Sequence, residues 1–179
     1  MKNRIHQYVV LLAAFATLTL GSAVDAQVRP SPDPVVRDET ADRVAIQQLV
    51  IEYYYLLDHG RATEIAALFT PDAVFDNPNM GLRAIGREAI AAYFDRRAAE
   101  PRTTRHISTN LRLVFETPDR ASGTRTILYY RGDGDNPPFP AKPGSVGEYS
   151  EVFQRGEDSQ WRFASRKSQL IFIGQREER

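Results

Sequence analysis

The stretch PRTTRHISTNLRLVF, residues 101–115, decides the fold, because the spacing of apolar side chains changes there. Upstream the pattern is helical. Over 44–57, Ile46, Leu49, Val50, Tyr53, Leu56 and Leu57 recur at three- and four-residue steps, with Gln47, Gln48 and Glu52 between them. Asp58-His59-Gly60 stops this run, Gly60 supplying the left-handed conformation that other residues avoid. A second short helix is expected over 63–69, a short strand over 73–76, and a third helix over 87–99 with Ile90, Tyr93 and Phe94 on its apolar side. After Pro101 the period becomes alternating, and 105–115, 121–131, 145–155 and 160–172 read as four strands. Turns fall at Pro118-Asp119 and Gly156-Glu157-Asp158. Helices first and a meander of strands afterwards predict an α+β domain, its helices packed on one face of a mostly antiparallel sheet.

The flanks bound this domain. Lys2 and Arg4 precede an apolar stretch over 8–20 and small residues ending at Ala26, the pattern of a secretory signal peptide over 1–26. That apolar stretch is shorter than the roughly 20 residues a membrane span needs. The expectation is an exported protein, periplasmic or secreted, with its mature end near Gln27 and no stable membrane insertion once the signal is removed. Residues 27–39 carry Pro30, Pro32 and Pro34 and read as a linker; the folded unit is expected over 40–174, and 175–179 form a polar tail. The chain has 179 residues and no Cys, so a disulfide framework, a thiolate nucleophile and a thiolate metal site are all excluded. With 23 basic and 23 acidic residues and no basic stripe interleaved with aromatics, it carries no footprint for nucleic acid. A Ser-His-Asp order, a phosphate loop and a dinucleotide fingerprint are also missing.

Chemistry then narrows to a few polar positions. Of the three histidines, His6 lies in the signal segment, leaving His59 and His106. His59, beside Gly60, reads as a solvated turn residue. Asp58 closes the first helix and His106 opens the first long strand, and a His held by a carboxylate is a tunable proton carrier near neutral pH. The residue types alone equally fit a helix-end Asp bonded to its own backbone and a satisfied strand-start His. Asp133-Gly134-Asp135-Asn136 lacks the ligand spacing of an EF-hand and reads as a turn.

The joints of these elements carry a resemblance. Leu57-Asp58-His59-Gly60, Ala67-Leu68-Phe69-Thr70-Pro71-Asp72-Ala73-Val74-Phe75, Gly86-Arg87-Glu88-Ala89-Ile90 and Arg105-His106-Ile107-Ser108-Thr109-Asn110 resemble the SnoaL-like family of the NTF2-like superfamily. The resemblance spans about 42–172 and implies a curved sheet wrapped around helices into a cone with an apolar pocket at its open end. Within the superfamily the chain most resembles scytalone dehydratase, bile acid 7α-dehydratase and hexachlorocyclohexane dehydrochlorinase. Their helix-end Asp and strand-start His match Asp58 and His106; the polar residue five before the Asp falls on Tyr53. The dehydrochlorinase's Arg five after a Trp falls on Arg166, which follows Trp161. The resemblance therefore implies a lyase that eliminates water or hydrogen halide from a small, largely apolar or polycyclic molecule, with no metal and no organic cofactor. An isomerase of the ketosteroid type and a non-catalytic periplasmic binding protein are the alternatives.

The catalytic set is thus Asp58, His106, Tyr53 and Arg166, and the substrate-binding set Tyr54, Asn77, Asn110, Tyr129, Arg131 and Phe139. Five helical residues turn the chain about 500°, so Tyr54, four before Asp58, shares its side better than Tyr53 does. Asn77 fits a pocket mouth or a turn into Pro78; Phe139, in the Pro-rich connection 137–140, is the expected cover. Strict alternation puts His106, Ser108, Asn110 and Arg112 on one strand face and Ile107, Leu111, Leu113 and Phe115 on the other. That arrangement points the apolar face at another subunit, as do the apolar side chains on both sides of the strand at Ile127–Tyr130. A homodimer or homotrimer is the expectation.

Overall fold

The computed structural model describes residues 38–133 and 137–174. The signal-peptide reading, most of the linker, the polar tail and the turn at 134–136 lie outside the described residues. Helix α1 (Thr40–Asp58) buries Ile46, Leu49, Val50, Tyr53, Tyr54 and Leu56, the face its spacing predicts. It stops where Gly60 takes φ +75°, a conformation that costs a residue with a Cβ. Ala62–Leu68 forms a 3-10 helix, where an ordinary helix was expected. No described helix is long and apolar enough to cross a membrane.

Strand β1 (Phe69–Asn77) begins well before the predicted 73–76, because it runs on through Pro71. Its parallel ladder shifts between Phe69 and Val74, so the proline sits where pairing is interrupted and its missing N–H costs little. A short turn at Pro78–Met80, with Gly81 in the left-handed region at φ +62°, leads into β2 (Leu82–Ile85). Four residues were too few to show a period in the sequence, and this strand was not expected. Helix α2 (Arg87–Ala98) buries Ile90 and Phe94. Strands β3 (Arg102–Thr117), β4 (Arg120–Asp133), β5 (Pro143–Arg155) and β6 (Trp161–Ile173) form the predicted meander.

The six strands order as β2-β1-β6-β5-β4-β3, antiparallel except for β1 beside β6. The helices cover one face of this open sheet, as the α+β reading expects. Phe69, Phe94, Phe153, Phe163, Ile46, Ile65 and Ile90 are fully buried between helices and sheet, each contributing about 1.5–3 kcal/mol. Trp161 Nε1 donates to Asp42 Oδ1 at 3.0 Å, fastening the start of α1 to β6.

Strand β3 corrects one expectation. Its pairing with β4 runs Thr109 to Thr126 and then Arg112 to Thr124, one residue more on β3 than on β4, and Asn110 at that point has φ +57°. The extra residue is a bulge, and a one-residue insertion exchanges the two faces. Leu111, Leu113 and Phe115 therefore join the inward face of His106 and pack against the core. They do not form the outer apolar face that strict alternation required. Gly123 makes room opposite, since a Cβ there would stand 2.9 Å from Leu113 Cδ2.

Candidate functional site

The inward face of β3 ahead of the bulge meets the end of α1, and this junction builds the site. Asp58 Oδ1 accepts from Thr104 Oγ1 at 2.8 Å and lies 2.7 Å from His106 Nδ1, while Oδ2 accepts from the His106 backbone N–H at 2.7 Å. Arg105 Nη1 donates to the Asp58 carbonyl at 2.9 Å, pinning the helix end to the strand. Burial pushes the Asp58 carboxyl up, but its hydrogen bonds from His106 and Thr104 and the imidazole charge outweigh that, leaving it below the ordinary carboxylate value. An ionised Asp58 can only accept, so the 2.7 Å contact fixes the proton on Nδ1. In the neutral ring, Nε2 is left with the lone pair.

His106 borders a cavity of about 440 Å³. Its apolar walls come from Tyr53, Phe75, Phe94, Ile127, Tyr129 and Tyr149; the polar side chains beside them include Asn77, Arg97, Arg102, Arg131 and Ser168. The His106 ring stands between Tyr54 and Tyr129, with both ring centroids 5.0 Å away. The side chain is 13% exposed, enough to meet a ligand while most of it is held.

The predicted tyrosines take different places. Tyr53 lines the cavity, whereas Tyr54, on the Asp58 side as helix geometry expects, lies behind it and stacks on His106. Burial raises Tyr53 well above the ordinary tyrosine value and Tyr54 to about 12, so both remain protonated donors. Arg166 is fully buried beneath the wall. Its Nη2 donates to the Tyr54 hydroxyl at 2.5 Å and its guanidinium carbon lies 3.6 Å from the Tyr53 ring centre. Asn77, Tyr129 and Arg131 line the cavity. Asn110 does not: it is the exposed left-handed residue of the bulge. Phe139 does not either. A Cβ on Gly132 would run into its ring, and Gly132 alternates with the cavity-lining Arg131, so Phe139 lies on the opposite face of the sheet. His59 packs beside Tyr55 at the helix end, away from the cavity lining.

The sequence reading missed Thr104, Arg97, Arg102 and a buried ionic cluster. Arg125 pairs with Glu151 through two bonds of 2.8 and 2.7 Å and donates to Ser108 at 2.8 Å, while Arg166 Nε stands 3.2 Å from the same carboxylate. Period-two spacing from His106 was a signal for Thr104. Charged residues at inward positions of β4 and β5 were a signal for the cluster. Among the described residues, no three His, Cys, Asp or Glu side chains group to hold a metal ion.

The sequence model of the SnoaL-like domain matches residues 38–167. No curated protein matches the chain by sequence. Among solved structures, one from Novosphingobium aromaticivorans, provisionally assigned as a scytalone dehydratase, superimposes with TM-score 0.66 at 23% identity, covering 78% of this chain and 90% of that one. A Catenulispora acidiphila protein in complex with S-DNPA gives TM-score 0.61 at 28% identity, over 73% of this chain and 93% of that one. A hexachlorocyclohexane dehydrochlorinase (LinA) gives TM-score 0.61 at 20% identity, over 74% and 87%. The helices on an open six-stranded sheet match the cone fold these proteins share. With the family model covering residues 38–167 and the fold agreeing, the chain belongs to the SnoaL-like domain family of the NTF2-like superfamily.

Proposed function

We propose that this protein is a cofactor-independent lyase that removes a proton from carbon and expels water or halide from a small, largely apolar or polycyclic molecule. The observation that supports this reading is the Asp58–His106 contact of 2.7 Å at the wall of an apolar cavity. His106 Nε2 takes the proton, and Asp58 stabilises the imidazolium that forms. The Tyr53 hydroxyl donates to the oxygen or halogen on which negative charge develops. Arg166, against the back of the Tyr53 ring, opposes the effect of burial on that hydroxyl and so acts as a positioning residue.

The test offers hydroxylated polycyclic and terpenoid compounds, and hexachlorocyclohexane, and follows water loss by mass and chloride release by electrode. Elimination that disappears in His106→Ala supports the lyase. Exchange of a substrate C–H in deuterium oxide without loss of a leaving group identifies the ketosteroid-type isomerase instead. Binding without either identifies a non-catalytic binding protein.

Export and self-association belong to the same proposal. The mature protein starts near Gln27 outside the cytoplasm, which intact-mass analysis of exported protein checks; retention of residues 1–26 in a soluble pool refutes it. It assembles as a homodimer or homotrimer, supported by apolar side chains left exposed at the end of β6, Phe172 at 66% and Ile173 at 71%. Sedimentation equilibrium showing a strict monomer refutes that.

A further inference from the structure

The cavity is apolar on the side of Tyr53, Phe75 and Phe94, yet three arginines line it and, among the described residues, no Asp or Glu does. Their own partners account for them unequally. Arg131 is paired with Asp133 at 2.7 Å, but both side chains are exposed, 48% and 72%, and such a pair holds little. Arg102 is only 12% exposed; its Nη1 lies 3.1 Å from Glu100, while its Nε is buried with no hydrogen-bond partner. Arg97, in the last turn of α2, is half-buried, and its guanidinium makes no hydrogen bond or ion pair with a described residue. Burial and the neighbouring Arg102 charge both push its pKa down, and both arginines line the same cavity. Glu100 acts on both cations, but its side chain is 54% exposed and its charge is screened by solvent, so donors remain for a ligand, and planar forks of N–H donors match carboxylate and sulfonate oxygens.

We propose that the ligand of this pocket is an apolar body bearing one anionic group, held by Arg97 and Arg102 and directing the body along β3 towards His106 and Tyr129. Arg102 and His106 are inward positions four residues apart on β3, about 13 Å along the strand. Tyr129 pairs with His106 across the ladder, at the imidazole end, and Arg131 pairs with Thr104 midway between the two ends. Asn77 Oδ1 and Ser168 Oγ, buried without partners and also on the cavity wall, are further polar contacts for the ligand. This rests on reading the cavity as the ligand site, and it deepens the proposed function by fixing the charge of the substrate.

The test compares two fluorescent probes, anilinonaphthalene sulfonate and phenylnaphthylamine, which share a ring system and differ by the sulfonate. Fluorescence titration of the wild-type protein is expected to show the sulfonate binding at least about tenfold more tightly, the scale of charge-assisted bonds in a poorly solvated site. The Arg97→Gln/Arg102→Gln double variant is expected to lose that preference with phenylnaphthylamine affinity kept, and Arg97→Lys to retain part of it. Equal affinities in the wild type, or a preference that survives in the double variant with circular dichroism showing it folded, overturns the inference. If the double variant does not fold, the single Arg97→Gln variant decides, with a halved or smaller preference supporting and an unchanged one overturning. Turnover by the wild-type protein separates the two readings: if no compound is turned over while the preference follows Arg97, the lyase is refuted and the anionic ligand stands.

Discussion

Asp58 with His106 and Glu151 with Arg125 are both carboxylates held at 2.7 Å by a nitrogen donor, but one pair borders the cavity and the other is sealed from solvent. The Asp58 carboxylate is saturated by donors from one strand, which leaves a single imidazole nitrogen unspent at the cavity wall. The Glu151 carboxylate spends itself on two arginines, and these lie against Tyr54 and Tyr149 with side chains 0% exposed. The difference teaches that a buried charge network becomes chemical where the group it leaves unsatisfied borders space, and structural where it is sealed, as Arg166 Nη1 is, buried without a hydrogen-bond partner away from the cavity wall. The first should answer to kinetics and the second to denaturant.

The sharpest way to break the contrast is His106→Ala. It should lower turnover of a converted substrate by about 10³- to 10⁴-fold in single-turnover kinetics, since proton transfer occurs only in the transition state. Binding of a non-reacting analogue should stay within a few-fold, and full activity in this variant would dispose of the base. Glu151→Ala should show the reverse, a loss of about 3–5 kcal/mol in urea unfolding because two buried guanidiniums lose their shared carboxylate; a loss under about 1 kcal/mol would erase the distinction between the clusters. Tyr53→Phe should cost on the order of 10²-fold in rate, with less than about 1 kcal/mol in stability, if its hydroxyl supplies one bond to developing charge.

The smallest effect concerns acid. Asp58 is depressed in the folded state, so in the window between its folded and unfolded values the unfolded chain binds more protons and stability rises with pH. The contribution is complete above the unfolded value near 3.9 and is lost as pH falls through the folded one. Urea midpoints of wild-type protein and Asp58→Asn should therefore differ at neutral pH and converge in acid. A gap that stays constant down to about pH 2 would show that this carboxylate is not held by the bonds described.

The long elements were legible from period alone, because a helix or strand that buries one face must repeat its apolar residues: α1, α2 and the four-strand meander follow directly. Strand β2 was not, since Leu82–Ile85 is too short to display a period and exists only because β1 lies beside it. Asp58 and His106 stood out as polar residues at a helix end and a strand start, the resemblance supplied their roles, and their contact depends on where α1 ends against β3. Asn110 was assigned to the pocket because alternation assumed an uninterrupted ladder. Phe139 was assigned to it because connection length says nothing about which face a loop crosses. Arg97 and Arg102 carried no sequence signal, because a charged residue near the end of a helix or the start of a strand is ordinary until its partners are counted.

The bulge at Asn110 divides one continuous strand into two lengths with separate obligations. Thr104 and His106 lie ahead of it, at the end of α1; Leu111, Leu113 and Phe115 lie behind it, in the core. A deletion of Asn110 would turn three core side chains outward without moving the dyad, while substitutions ahead of the bulge leave the packing behind it in register. The pocket can thus be rewritten by mutation with the stability of the sheet held largely apart.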